Sequence, residues 1–460
     1  MNRLLSRHLS LLALTLLMVL GPANAWASSP GNVAIPPPSW TVVFFVAMLL
    51  TIAIVPLTKL SHWWEHNSNK LIVSLVLGAY PLYHLLVVQP SVHQLLDTMH
   101  EYASFITLLG SLFYISGGLL LKGDLRATPT TNMAFLGLGT VIASLVGTTG
   151  ASMLLIRPVL RTNKDRKNKV HVVIFFIFLV SNVGGSLLPL GDPPLFLGYL
   201  QGVPFWWTLN LWQQMGMVAV ALLVGFYMLD THYYKQEPKA AKRADAANVE
   251  PLRVEGLVNL LWLGGIVACV ALITDENSFK FARELAMIGC AIASKLTTPG
   301  ETRAKNFFTW GPILEVAALF IGIFITMIPA LMLLKAEGGN LGVNTPAKFF
   351  WASGTLSSFL DNAPTYLVFY NTAQGMVVNG QLAATSLVAS TGIPFTILLA
   401  ISCGSVFMGA NTYIGNGPNF MVKAIAEEQG VQMPSFFGYM RWSVLILVPL
   451  FVVTTFAFFM

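Results

Sequence analysis

Four short stretches of the 460-residue chain gather oxygen-bearing side chains where an otherwise apolar sequence has no evident use for them. Thr148, Thr149 and Ser152 follow Gly147. Asn182, Gly184, Gly185 and Asp192 lie in residues 181–196 (SNVGGSLLPLGDPPLF). Asp361, Asn362 and Thr365 lie in LDNAPT, and Asn411, Thr412, Gly415, Asn416 and Asn419 in residues 409–420. Carboxylate, amide and hydroxyl oxygens beside unwound carbonyls suit a hard cation such as Na⁺. Asp192 and Asp361 are the two carboxylates of the set. Burial favours the protonated acid and a nearby cation favours the anion, so each could hold H⁺ or Na⁺ but not both. The expected Na⁺ ligands are Asp192, Asp361, Asn362 and Asn416. Glu315, about a turn inside its apolar run, is a third candidate proton carrier, with an interfacial role as the alternative. The plainer reading of Asp192, ahead of Pro193-Pro194, is a helix N-cap, and Asp361 or Asn362 could cap in the same way. No His/Cys cluster has transition-metal spacing. Cys269, Cys290 and Cys403 sit in apolar runs without a CxxC pair and read as free thiols. No cofactor is expected beyond transported Na⁺ and H⁺.

These residues need elements that survive in lipid. The chain is 55% hydrophobic and 10% charged, with a mean hydropathy of +0.68. A soluble domain carries about 25% charge, so the composition specifies an all-α polytopic membrane protein whose solvent is the bilayer. The net charge of +6 belongs in cytoplasmic loops and points to no nucleic-acid partner. Residues 1–27 read as a signal peptide or N-terminal anchor. Arg3 and Arg7 precede a short apolar run, and small residues end at Ala25 and Ala27, which would leave a periplasmic N-terminus.

Spans are expected at 39–57, 70–89, 102–121, 205–229, 256–274, 281–295, 311–335 and 436–459. Two further stretches are too interrupted for single spans and read as re-entrant hairpins, at 132–160 and 345–371. Two others read as broken helices, at 169–200 and 394–428. Gly-Gly and three prolines interrupt the first of these, and broken backbone persists in a membrane only where protein or a wet cavity surrounds it. The order repeats: a first unit at 35–230, a cytoplasmic linker at 231–255 without an apolar face, and a second unit at 256–460. LGDPPLF (190–196) aligns with IGNGPNF (414–420), and TTGAS (148–152) sits where DNAPT (361–365) sits. Five crossings per unit would invert the second against the first, as in secondary transporters. Lys and Arg agree: 122–126, 157–169, 235–253 and 295–305 are rich in them, whereas 90–101, 200–204 and 371–392 are nearly free of them. This puts the first hairpin's mouth in the cytoplasm of a bacterial-type inner membrane. Arg157 reads as a cytoplasmic-edge anchor, and His84 and His171 as locally hydrogen-bonded.

SNVGGSLLPLGDPPLFLGYL, FLDNAPT and NTYIGNGPNFMVKAIAEE resemble the ion-transporter superfamily, which includes D-type sodium/proton antiporters, arsenite permeases, citrate carriers and divalent-anion/sodium symporters. The likeness spans residues 35–460 and is closest to proteins labelled sodium/proton antiporter or citrate transporter. It implies hairpin-bearing transport domains that move against a scaffold, often in a homodimer. In the dicarboxylate branch both tips carry Ser-Asn-Thr; here they read Thr148-Thr149-Gly150 and Asp361-Asn362-Ala363. The expectation is a Na⁺/H⁺ antiporter rather than an enzyme. The alternative is a Na⁺- or H⁺-coupled carrier of citrate, another carboxylate or an oxyanion, because half-helix N-termini favour an anion. An intramembrane aspartyl protease needs Gly-x-Gly-Asp, and Pro189-Leu190-Gly191-Asp192 does not supply it.

Overall fold

The computed structural model describes residues 36–247, 249–274 and 278–460, so the expected signal segment lies outside the described residues. The chain is helical nearly throughout, as a multi-spanning chain must be when lipid offers no partner for backbone groups. Among the described residues, five helices are long and apolar enough to cross a membrane on length and composition alone, and four shorter apolar helices accompany them.

The first half runs α1 (Val42–Ile54), α2 (Asn67–Tyr83), α3 (Val92–Ser116), β1 (Leu120–Asp124), α4 (Pro129–Val146), α5 (Thr148–Thr162), α6 (Val170–Leu179), α7 (Pro193–Leu200) and α8 (Trp212–Gln236). A linker follows, with α9 (Lys239–Ala247) and β2 (Glu250–Glu255). The second half runs α10 (Val258–Leu272), α11 (Ala282–Thr297), α12 (Gly311–Glu337), α13 (Pro346–Phe359), α14 (Asn362–Val378), α15 (Phe395–Met408), α16 (Gly417–Glu428) and α17 (Phe436–Phe458). Thus α4–α5 and α13–α14 are the two hairpins, and α6–α7 and α15–α16 the two broken helices.

Each hairpin opens on the same local device. Thr128 and Thr345 precede Pro129 and Pro346, and their hydroxyls accept from the amides of Thr131 and Lys348 at the N-cap. The tip of the first is Gly147 at φ +81°, a left-handed turn for which glycine is suited. The α4 arm has 18 residues, about 27 Å of helix, so length alone does not make it re-entrant as the sequence suggested. Its tip ends against the first helix break instead, where the Thr148 amide donates to the Gly191 carbonyl at 2.7 Å.

The most deeply buried long span, α12, packs on α1, α2, α3 and α14. The two hairpins open toward opposite ends of it. Arg157, near the open end of the first, lies over Phe307, just before the α12 N-terminus. Asn379, at the end of the second, donates to the Ala336 carbonyl at its C-terminus. Those ends are about 40 Å apart for 27 residues.

The breaks are keyed to one another by glycine. A Cβ on Gly191 would collide with the Gly185 backbone, and one on Gly415 would lie 2.6 Å from the Gly409 carbonyl and 2.7 Å from that of Ser357. The second half of each broken helix also packs on the return arm of the other half's hairpin, α7 on α14 and α16 on α5.

Two local readings change. The linker is not featureless: β2 pairs antiparallel with β1, and the buried Asp245 carboxylate accepts the Ala127 amide at 3.1 Å. The period-two apolar pair of β2, Leu252 and Val254, is too short an alternation to mark a strand in a charged segment. His84 lies buried against Tyr80, and neither ring nitrogen has a hydrogen-bond partner. His171 does have one, Asp230, at 2.8 Å; Asp230 also pairs with Arg166 at 2.6 Å and accepts from Asn132 at 3.1 Å.

Two stability predictions follow from these contacts. Gly415→Ala should destabilise by about 2 kcal/mol or more, whereas Gly417→Ala, with nothing near its added methyl, should stay within about 0.5 kcal/mol. Asp230→Asn should cost about 3 kcal/mol, because it removes the nearer counter-ion of the buried Arg166 and leaves only Glu237, at 4.0 Å. Unfolding in detergent micelles, followed by intrinsic fluorescence, measures both.

Candidate functional site

The two breaks and the two hairpin tips meet at Asp192, which is buried. Its Oδ1 accepts from Thr148 Oγ1 at 2.9 Å and from Asn416 Nδ2 at 3.1 Å; its Oδ2 accepts from Asn362 Nδ2 at 2.6 Å. One donor comes from the tip of each hairpin and one from the opposite break, so residues from both halves hold a single side chain.

None of the three donors is charged. An ionised carboxylate accepts only, which obliges Asn362 and Asn416 to turn their amide nitrogens toward it. The Asn362 carbonyl oxygen consequently points elsewhere, buried and with no hydrogen-bond partner among the described residues. An unmet acceptor in a native interior calls for an occupant. Amide and carboxylate oxygens are the donor types that a hard cation takes.

Around this centre lies an amide lattice. Asn182 Nδ2 donates to Asn419 Oδ1 at 2.7 Å and to the Ile177 carbonyl at 2.8 Å, and its Oδ1 accepts from Asn416 at 3.2 Å. Asn419 in turn donates to the unwound carbonyls of Gly409 and Thr412 at 2.8 and 2.9 Å. Removing a helical turn exposes carbonyls, and these side chains satisfy them in place of the missing backbone donors. Gly184 and Gly185 let the break approach the hairpin. A Cβ on the first would lie 2.6 Å from the Thr140 carbonyl, and one on the second 2.6 Å from the Thr148 methyl.

The two aspartates behave differently. Asp192 occupies the N-cap position of α7 yet makes no capping bond, so its oxygens remain committed to the cluster. Asp361 does cap: its Oδ1 accepts the Ala363 amide at 3.0 Å at the start of α14, and the residue is only half-buried. Thr365 turns its hydroxyl back to the Asp361 carbonyl at 2.9 Å. Ser152 pairs with Ser181 at 2.8 Å behind the first break, and Thr149 stays half-buried beside the tip. Asn411 donates to Ser358 Oγ at 2.9 Å and Thr412 to the Ser358 carbonyl. Glu315 is not brought to this cluster. It pairs with the buried Lys70 at 2.6 Å near the start of α12.

The sequence reading missed the serines that brace the breaks. Ser144 donates to the Gly184 carbonyl at 2.5 Å and accepts the Leu187 amide at 3.0 Å. Ser357 donates to the Ser405 carbonyl at 2.6 Å, and Ser358 to that of Met408 at 3.1 Å. The available signal was positional: Ser144 and Ser358 each stand three residues ahead of a hairpin tip.

Crossed helix breaks, inserted hairpin tips and a buried carboxylate shared between two halves are the architecture expected of a multi-pass membrane carrier. The chain belongs to the family described as "Putative citrate transport", whose model matches residues 35–459, and is thus a citrate transporter-like secondary transporter. A comparison with curated proteins gives no match.

The division of labour between the aspartates is testable without transport. Asp361→Ala should cost about 1 kcal/mol through the lost cap, while Asp361→Asn, which caps as well, should change stability by only a few tenths. Thermal unfolding of the two variants side by side measures the difference.

Proposed function

We propose that the chain is a cation-coupled secondary transporter in which Asp192 carries the coupling ion, and that its reaction is Na⁺/H⁺ exchange. The observation that supports this is the set of partners around Asp192: a buried carboxylate with three neutral donors, beside an amide oxygen that has none. Either Na⁺ or H⁺ would complete that arrangement, and the two would compete for it. Asp361, at the neighbouring tip, supplies a second carboxylate within electrostatic reach, and Asn416 sets the geometry from the other half. Exchange then needs no further substrate, because loading by one ion expels the other.

A second reading rests on the family description and on four helix N-termini. Helices α5, α7, α14 and α16 all begin at the cluster, and their positive ends favour an anion. On that reading citrate or a related carboxylate binds there with Na⁺ or H⁺ shielding Asp192.

Flux into proteoliposomes separates the two. With a Na⁺ gradient imposed and no organic anion present, exchange moves protons; a carboxylate carrier moves them only after citrate is added. Asp192→Asn should reduce coupled flux to background on either reading. Asp361→Asn retains the cap, so loss of flux in that variant assigns its charge to the mechanism, and full flux removes Asp361 from it.

A further inference from the structure

The mouth of the first hairpin encloses a cavity of about 410 Å³ that the cluster at Asp192 does not use. Its walls come from β1, α5, the residues leading into α6, the segment before α12 and the chain after α16. Arg157, Arg161, Lys164, Lys169 and Lys305 line it, and no acidic side chain does among the described residues. Two of the five have a counter-ion: Lys164 pairs with Asp124 at 2.8 Å and Lys305 with Glu301 at 3.0 Å.

The other three form no ion pair among the described residues. Arg157 lies 5.1 Å from the Phe307 ring centroid, and its Nη1 is buried with no hydrogen-bond partner. Glu428 acts on it only through space. Arg161 gives Nη2 to the Leu121 carbonyl at 2.9 Å, while its Nε is buried and unmet. Lys169 reaches only the Lys164 carbonyl, at 3.0 Å. Buried donors on charged groups are expensive to leave unpaired. Guanidinium forks match the oxygens of carboxylate and phosphate groups, and the volume falls in the range of small-ligand sites.

We propose that this cavity is an anion site for a ligand bearing two or more carboxylate or phosphate charges, presented by a soluble anion or by an acidic lipid headgroup. Arg157 and Arg161 grip the anion from the hairpin's return arm, and Lys169 and Lys305 set the field at the rim. Both sources suit a mouth that the distribution of Lys and Arg assigns to the cytoplasmic side. The site is separate from Asp192, so it stands or falls independently of the coupling reading.

The test uses the full chain. Titration calorimetry in neutral detergent with citrate, and separately with pyrophosphate, probes the soluble source. Native mass spectrometry from nanodiscs of phosphatidylcholine with and without cardiolipin probes the lipid source. Arg157→Gln with Arg161→Gln should weaken whichever anion binds by about tenfold or more, and added NaCl should weaken it further. Asp192→Asn should leave this binding unchanged. Lys169→Gln and Lys305→Gln, on the rim, should each weaken it by about threefold and keep the test open if the arginine variants fail to fold. The proposal is overturned if neither citrate, pyrophosphate nor cardiolipin binds. It is also overturned if what binds is indifferent to all four cations, or is lost with Asp192 alone.

Discussion

A carboxylate taken out of water must be surrounded by donors or neutralised, and Asp192 imposes that requirement on the whole arrangement. Its three donors lie far apart in sequence, at Thr148, Asn362 and Asn416. To reach it, one hairpin must end in a glycine turn, the other must place an asparagine on its first helical turn, and a second helix must break. Each break leaves carbonyls without partners, and Asn182, Asn419, Ser144 and Ser357 exist in the structure to meet them. The polar residues at the breaks and hairpin tips are thus accounted for by one buried charge and the backbone opened to accommodate it.

Much of this was legible from residue types. Gly-Asp-Pro-Pro and Gly-Asn-Gly-Pro each mark a helix start, and the observed helices α7 and α16 begin at Pro193 and Gly417. The echo between them brought two distant segments together before any contact was known. What residue types could not distinguish was which aspartate capped and which did not. Asp192 before two prolines looks like the better cap, yet the bond forms at Asp361, because tertiary donors compete for Asp192 and none competes at the other tip. Glu315 carried the right chemistry in the wrong place, since only packing reveals that Lys70 faces it. The linker strand was invisible for a different reason: Leu252 and Val254 alone are too short an alternation to announce it.

The electrostatics of the molecule are divided by location. At the centre, one buried carboxylate is balanced only by neutral groups and helix ends. At the mouth of the first hairpin, cations crowd together and three of them lack a counter-ion among the described residues. Sequence counting merges the latter with every other loop cation under the positive-inside rule. The fold separates Arg157 and Arg161, whose nitrogens are partly buried, from cations such as Lys122, which is half-exposed and paired with Glu255 at 2.6 Å.

The glycine contacts at the breaks bear on how access to the centre could change. Gly185 against Gly191, and Gly409 against Gly415, leave no room for one strand of a break to slip past the other. With α7 seated on α14 and α16 on α5, displacing either hairpin alone would break its packing on the opposite broken helix. A mechanism in which individual gates flex one at a time would have to tear this joint. The four segments are instead packed as one unit around Asp192 and its donors, so the contacts that hold the carboxylate are also the contacts that join the two halves.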